Sequence, residues 1–442
     1  MTTTKLTLQL ITKTPMHIGA GFSVKVPYLK SDGTRDKADF ALVQTDGDGN
    51  PYIPGTTLKG VLRALLELDD AKRLFGDVGD QGKPGAVIVG GGKFDKMGST
   101  VGRRDIITSA SGDVANRGTL MVQRVAIDQA TGTAADKKLF LQEMVPPGTT
   151  FIMTLRLSDR IKLDDPLLTA LLKQLHEVGI HLGRGTNDGS GHLALAGDTV
   201  TVTDAASAER TLDINTLDGD MTALRQPRKT YQVTLSGADT FGVLGVTNRK
   251  EGDKESNNRL EALRSAGEDK KGGNAELPGS SLSGAMRAKA NWFAARQLLR
   301  EGMTDSDERR ETLNHPDHPI QRLFGRDADV VKKHGQSFAG TLKITAIKAT
   351  DSGPRDMPQI KIDRITQGTI DGALFEMQMF MDARFDVTFE IDARASDNDV
   401  EFARAFFEYL KDKSDPSSGL MLGHASTRGH GWFDVTVNGE AG

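Results

Sequence analysis

Apolar and polar residues alternate over Leu6, Leu8 and Leu10, and again over Tyr231, Val233 and Leu235. A period of two is that of a half-buried strand, so each half of the chain is expected to open on one. Further along, Leu58, Leu62 and Leu65 repeat at helical spacing behind a Pro-Gly turn, whose pair of hydroxyl residues is expected to cap the helix. A second helix is announced by Asp165-Pro166, a capping carboxylate before proline in the first turn, and carries Leu168, Leu171, Leu172 and Leu175. Its counterpart starts near Ser396 with Val400, Ala403, Phe407 and Leu410. Each second helix runs into a glycine-rich loop and a last strand, His192-Leu193-Ala194-Leu195 or Trp432-Phe433-Asp434-Val435. Strand, helix, strands, helix, strand is the ferredoxin-like βαββαβ plan of an α+β protein.

The plan occurs twice because the sequence repeats. Pro54-Gly55-Thr56-Thr57-Leu58-Lys59-Gly60-Val61-Leu62-Arg63-Ala64 returns as Pro278-Gly279-Ser280-Ser281-Leu282-Ser283-Gly284-Ala285-Met286-Arg287-Ala288. Leu74-Phe75-Gly76 returns as Leu323-Phe324-Gly325, and Ile127-Asp128 with its following Thr131 as Ile362-Asp363 with Thr366. The loop from Gly183 to Gly191 returns as Gly423 to Gly431. Four motifs in one order with drifting spacing mark a duplicated domain with loop insertions, not a short-period solenoid. The expected division is a first domain over 1–200, a polar, aperiodic linker over 201–228 and a second domain over 229–442. Gly90–Gln123 and Gly267–Asn274, rich in Gly, Ser, Asp and Lys, read as long loops inserted into small cores.

At 442 residues with 37% hydrophobic positions, the chain can fill two ordinary cores. Its 56 Lys and Arg against 60 Asp and Glu give a net charge of −4, so polyanion binding has to rest on local patches. No cysteine is present, which excludes disulfides and thiolate zinc sites. The absence of a long apolar run or signal-like start leads to the expectation of a cytoplasmic protein with no membrane contact. Glycine is in excess, at 49 residues.

Glycines at 183, 185, 189 and 191 permit positive φ and close backbone approach, and a loop of this kind can cradle an anion, with Arg184 adding a charged contact. Its spacing is neither that of a P-loop nor that of a dinucleotide fingerprint. The Pro-Gly turn offers hydroxyls, N–H groups and Lys59 at a helix start. In the second copy Ser283 replaces Lys59, while Arg63 and Arg287 are shared. They face either phosphate or solvent. His315-Pro316-Asp317-His318 is a weak metal pair, read as a Pro-rich loop, and no zinc is expected. Aromatics make up only 5% of the chain, so backbone-phosphate holding is expected ahead of extensive base stacking.

Met16-His17-Ile18-Gly19-Ala20-Gly21, Pro51-Tyr52-Ile53-Pro54-Gly55, the Leu-Phe-Gly, the Ile-Asp-x-x-Thr segment and the terminal glycine loop together resemble the RAMP superfamily of CRISPR effector proteins, specifically a fused double-domain backbone subunit of type III complexes. The resemblance implies two tandem ferredoxin-like, RRM-like domains that carry thumb-hairpin insertions. It also implies binding of guide RNA, cleavage of target RNA with a divalent cation, Mg2+, and association with other effector subunits. The guide-binding positions it suggests are His17, Lys59, Arg63, Arg184, Ser280, Arg287 and Arg428. A loop aspartate between the His-Ile-Gly and Tyr-Ile-Pro-Gly turns would cut the target. Asp39, just ahead of Phe40-Ala41-Leu42-Val43, sits best, with Asp32 and Asp36 in reserve. In the second copy only Asp253 and Asp269 fall in the matching loop, and Asp253 is the candidate. Thumbs are expected around Gln123–Leu141 and Gln359–Leu374, with Ile127 and Ile362 as wedges. A scaffold without a cutting site and a guide-processing nuclease with His17 as base are the alternatives within the superfamily. Outside nucleic acid, the alternative is an α+β protein whose glycine loops bind small phosphates.

Overall fold

The computed structural model describes residues 2–29, 35–77, 82–100, 117–127, 134–237, 242, 259–260, 262–265, 273–326, 328–350, 353–370 and 374–441. The chain divides into two compact units, with the break along the sequence between Gln226 and Pro227. Each is mixed α+β.

The first unit opens with β1 (Thr2–Thr12), β2 (Gly19–Leu29) and β3 (Arg35–Val43), followed by α1 (Gly55–Ala64) and α2 (Leu68–Phe75). Next come β4 (Val87–Val89), β5 (Lys93–Lys96), β6 (Leu120–Ile127), β7 (Ala134–Met144) and β8 (Thr150–Ser158). The unit closes with α3 (Pro166–Lys173), β9 (Ile180–His181), β10 (His192–Leu195), β11 (Thr199–Asp204) and β12 (Glu209–Asp213). β1 is central: β8 pairs along one side of it, β10 and β11 along the other, all antiparallel. β4 and β5 lie beyond β8. Leu6, Leu8 and Leu10 are wholly buried, as their alternation requires, and share one aliphatic core with Leu58, Leu62, Leu74, Leu168 and Leu171. Asp165 accepts from the N–H groups of Leu167 and Leu168, so the predicted cap of α3 is present.

Two expectations change here. Residues 201–228 are not a linker: β11 pairs with β1, Val202 opposite Leu6, and Val200, Val202, Ile214 and Leu224 are buried in the first core. The alternation of valine with threonine is a short strand signal that the polar surroundings obscured. The stretch between the His-Ile-Gly and Tyr-Ile-Pro-Gly turns is not a plain loop either, because β2 and β3 pair along it. β3 then runs parallel to β7, which pairs with β6, and the four strands enclose a small core of Val26, Ala38, Phe40, Leu42 and Leu141. The first expected thumb is thus an edge hairpin of this added sheet. Of the reserve aspartates, Asp32 lies outside the described residues.

The second unit runs β13 (Lys229–Gly237), β14 (Arg259–Leu260), α4 (Gly279–Arg300), α5 (Ser306–Leu313), α6 (Pro319–Leu323) and α7 (Ala328–His334). It continues with β15 (Leu342–Thr350), β16 (Pro354–Gln359), β17 (Phe375–Phe380), β18 (Arg384–Ile391), α8 (Asp397–Lys411), β19 (Leu420–Met421) and β20 (Trp432–Ala441). The main sheet has the order β15-β18-β13-β20-β19. Its core is aromatic where the first is aliphatic: Tyr231, Phe385, Phe389, Phe406, Phe407 and Phe433 are all buried, and the rings of Tyr231 and Phe407 stack 4.2 Å apart. Ser396 caps α8 in a capping box with Asp399. β14, β17 and β16 form a separate small sheet, and the β16–β17 hairpin carries the second expected thumb.

The Thr and Ser pairs do not cap α1 and α4. Pro54 and Pro278 occupy the N-cap positions, with no side-chain cap bond. Gly55 has no room for a side chain, since a Cβ there would meet the Val89 carbonyl at 2.8 Å.

Candidate nucleic-acid interface

The glycine loop of the first unit is welded to the turn after β1. The Arg184 N–H donates to the His17 carbonyl at 2.9 Å, and a Cβ on Gly183 would meet that same oxygen at 2.3 Å. Gly191 closes the loop at φ 73, and a Cβ there would lie 1.9 Å from the Leu182 carbonyl oxygen. Only glycine fits either position. The loop therefore has a defined shape, and it presents Arg184 to the root of β7, with the guanidinium 5.1 Å from the Phe140 ring centroid.

His17 does not reach an RNA groove. It is 3% exposed, and its Nδ1 donates to the Glu143 carbonyl at 2.7 Å. Burial pulls its pKa down; the bond to Glu143 opposes that, while Arg184 and Arg124 add to it. The ring is a neutral structural pin, and the nuclease reading with His17 as base loses its accessible group. The carboxylate of Glu143 is itself fully buried, accepting from Val43 N–H at 3.0 Å and the Thr119 hydroxyl at 2.7 Å.

Asp39 lies within β3, directly opposite Lys25 on β2, and the two side chains pair at 2.8 Å on the sheet's outward face. Phe40, one residue on, faces the small core. Phe40 aligns with Leu141 on β7, so stepping back one residue along both parallel strands sets Asp39 beside Phe140. Phe140 in turn opposes Arg124 on β6. A single row across the sheet therefore reads Lys25, Asp39, Phe140, Arg124, with Arg184 over the ring. The backbone of Asp36 is in β3 as well. Of these residues, Lys25, Arg124 and Phe140 had not been singled out from the sequence. A signal was present in Leu139-Phe140-Leu141-Gln142-Glu143-Met144, which is echoed by Leu374-Phe375-Glu376-Met377-Gln378-Met379.

The echo is structural. In the second unit Arg428 lies over Phe375, 5.5 Å from the centroid, and Nη1 is 3.5 Å from the Met377 sulfur. The His424 N–H donates to the Gly242 carbonyl at 2.8 Å, as Arg184 does to His17. Asp253 and Asp269 lie outside the described residues. The β16–β17 hairpin ends in an apolar tip: Ile362 is 59% exposed and Ile365 93%. Asp363 shapes this tip by accepting from the N–H groups of Ile365 and Thr366, which hold its carboxyl below the usual range.

Arg63 and Arg287 are not groove residues. Arg63 donates to the carbonyls of Ala71 and Gly76, and Arg287 to Gly325 at 2.9 Å and to Gln321. Both arginines thus clasp the glycine carbonyl of a Leu-Phe-Gly. The arginine preceding each Leu-Phe-Gly does the complementary job. Arg73 makes a bidentate pair with Asp165 at 2.7 and 3.1 Å, and Arg322 reaches Asp399 at 2.8 Å. An Arg-Leu-Phe-Gly segment thereby ties α1 to the N-terminus of α3 in the first unit and α4 to that of α8 in the second. Lys59 is exposed on α1, and Ser280 is half-buried in the first turn of α4. His315 and His318 accept from nearby backbone N–H groups, His318 at the start of α6.

A divalent cation has a poor seat at Asp39. No group of three His, Asp or Glu side chains suited to a metal occurs among the described residues. The Lys25 ammonium, moreover, already lies against Asp39 Oδ1.

The RAMP superfamily model matches residues 9–194 and again 263–434, so the chain belongs to the RAMP superfamily and carries its domain twice. Among solved structures, it is similar to a chain of "Type III-B Cmr-beta Cryo-EM structure of the Apo state", with 15% identity and a TM-score of 0.32 over 43% of this chain and 96% of that one. No curated protein matches the sequence. Among the described residues, no helix is long and apolar enough to cross a membrane.

Proposed function

We propose that the chain is a fused double-module backbone subunit of a type III CRISPR effector, each module ferredoxin-like. It would hold guide RNA along its glycine loops and cut the complementary target RNA at Asp39. Guide RNA, target RNA and other effector subunits are its partners, and the cytoplasm its compartment. The observation that carries this reading is the row Lys25, Asp39, Phe140, Arg124 under Arg184, set in an added sheet of the first of two RAMP matches. Arginines over a half-buried ring suit phosphate and base together. A carboxylate beside them suits RNA cleavage, since the 2′-hydroxyl is a nucleophile that needs only a proton acceptor and in-line geometry. Lys59, Arg184 and Arg428 remain as guide contacts, and the apolar tip at Ile362 and Ile365 is the thumb that wedges the duplex.

The test is Asp39→Ala in the assembled complex. Target cleavage at the position facing the first module falls by at least about 10²-fold, while guide retention, read as the 260/280 nm absorbance ratio, stays at the wild-type value. Equal cleavage by both proteins removes the catalytic assignment and leaves a scaffold. Charge reversal at Arg184 and Arg428 weakens guide binding and flattens its salt slope.

A further inference from the structure

We propose that Lys25 is the general acid of the same reaction, paired with Asp39 as base, and that its ammonium fills the place a divalent cation would otherwise take. The inference rests on Asp39 being the cutting residue. Lys25 and Asp39 are direct cross-strand partners in a hairpin whose register is unbroken from Ser23 to Leu29. Their side chains are 60% and 58% exposed, and Nζ lies 2.8 Å from Oδ1. An exposed pair of this kind adds at most about 1 kcal/mol to stability, so its position at the head of the row is not needed to hold the sheet. Among the described residues no group of three metal-binding side chains occurs, and the cation placed against the base is the Lys25 ammonium.

The chemistry closes without another reagent. Asp39 takes the proton of the ribose 2′-hydroxyl as its oxygen forms a bond to phosphorus. The bond from phosphorus to the 5′-oxygen breaks, the electron pair goes to that oxygen, and the Lys25 ammonium protonates it. The products are a 2′,3′-cyclic phosphate and a 5′-hydroxyl. Asp39 is then a neutral acid and Lys25 a neutral amine. Once product leaves, the proton crosses the short gap between them and restores the pair. In-line attack puts base and acid on opposite sides of phosphorus, and the flexible four-carbon stem of an exposed lysine gives the reach for that. Phe140 with Arg184 above it fixes the neighbouring nucleotide.

The experiment compares wild type, Asp39→Asn, Lys25→Gln and Lys25→Arg in the assembled complex. It uses ordinary target RNA and a target whose scissile 5′-oxygen is replaced by sulfur, a leaving group that needs no proton. On ordinary RNA Lys25→Gln loses about 10²-fold or more, and Lys25→Arg retains less activity than wild type because guanidinium is a weaker acid. On the sulfur-bridged target the Lys25→Gln defect disappears, whereas Asp39→Asn is inactive on both. A structural role for Lys25 would show the same loss on both targets and would overturn the proposal. Wild-type cutting of ordinary RNA by Lys25→Gln would overturn it too, with the Asp39 assignment intact if Asp39→Asn is dead. Cutting by Asp39→Asn would remove both.

Discussion

In the first unit the turn after the opening strand is pinned by His17, a buried ring bonded to the Glu143 carbonyl. In the second unit the same carbonyl contact to the glycine loop comes from Gly242, where a Cβ would lie 2.8 Å from the Met379 sulfur and 3.3 Å from the Gln378 carbonyl. The backbone connection is retained and the side chain beneath it is exchanged: Glu143 with histidine on one side, Gln378 with glycine on the other. The same division runs through both halves. Where helices meet the sheet, the two units use the same residues in the same roles. Where the inserted strands meet the loop, they keep only the motif of an arginine over a phenylalanine, and take that arginine from different loop positions, 184 and 428. The frame common to a duplicated fold is held by backbone carbonyls and close-packed glycines, which tolerate little. The face that meets a ligand is built from side chains on added strands, which tolerate more.

The comparison breaks most sharply at the loop-closing glycines. A Cβ on Gly191 or Gly431 would sit 1.9 Å from the carbonyl of Leu182 or Leu422, at φ 73 and 86. Alanine at either site should destabilise its unit by more than about 3 kcal/mol. Both tryptophans, Trp292 and Trp432, belong to the second unit, so their fluorescence follows that unit alone. Gly431→Ala should lower the fluorescence midpoint in urea, and Gly191→Ala should lower only the circular-dichroism transition. Gly60 and Gly284, in helices with open space around them, are the controls, and alanine there should stabilise by about 0.5–1 kcal/mol.

The Arg-Leu-Phe-Gly ties sharpen the comparison with a smaller effect. Asp399 is fully buried and its partner Arg322 is 25% exposed, whereas Asp165 keeps 13% exposure and its partner Arg73 45%. Arg322→Met leaves a buried carboxylate without its cation and should cost about 3–5 kcal/mol. Arg73→Met should cost about 1 kcal/mol or less. Urea midpoints by fluorescence and circular dichroism, read as above, separate the two, and equal losses would mean that burial does not set the difference.

Much of the frame was legible because its signals are local. The alternating leucines of β1, the Asp165-Pro166 cap and the repeated Pro-Gly, Leu-Phe-Gly and glycine-loop motifs each depend on neighbours in sequence. What the sequence hid depends on distant partners. Arg63 and Arg287 look like groove residues until the Gly76 and Gly325 carbonyls come within reach of them. Val200 and Val202 look isolated until β1 lies alongside. Asp39 was visible as a carboxylate in the right interval, but its neighbours Lys25, Phe140 and Arg124 come from three other strands, and no spacing rule links them.

The smallest effect is the pH dependence that His17 gives one unit. Its pKa is held below the ordinary value of 6.5, chiefly by burial, so the folded first unit binds fewer protons there than the unfolded chain. The sign follows: the stabilisation is fully present above about pH 6.5 and is lost as the pH falls from there through the folded pKa. The second unit has Gly242 at this place and has no such contribution from it. His17→Asn keeps a side-chain N–H for the Glu143 carbonyl but cannot titrate. Between pH 7 and pH 5 the first unit's unfolding free energy, from urea curves followed by circular dichroism, should therefore fall less steeply in His17→Asn than in wild type. The difference in slope has one proton, about 1.4 kcal/mol per pH unit, as its upper bound. The tryptophan transition of the second unit should keep the same pH slope in both proteins. Identical slopes in the first unit would mean that the ring takes up its proton alike in folded and unfolded chains, and that the exchange of His17 for Gly242 is one of packing alone.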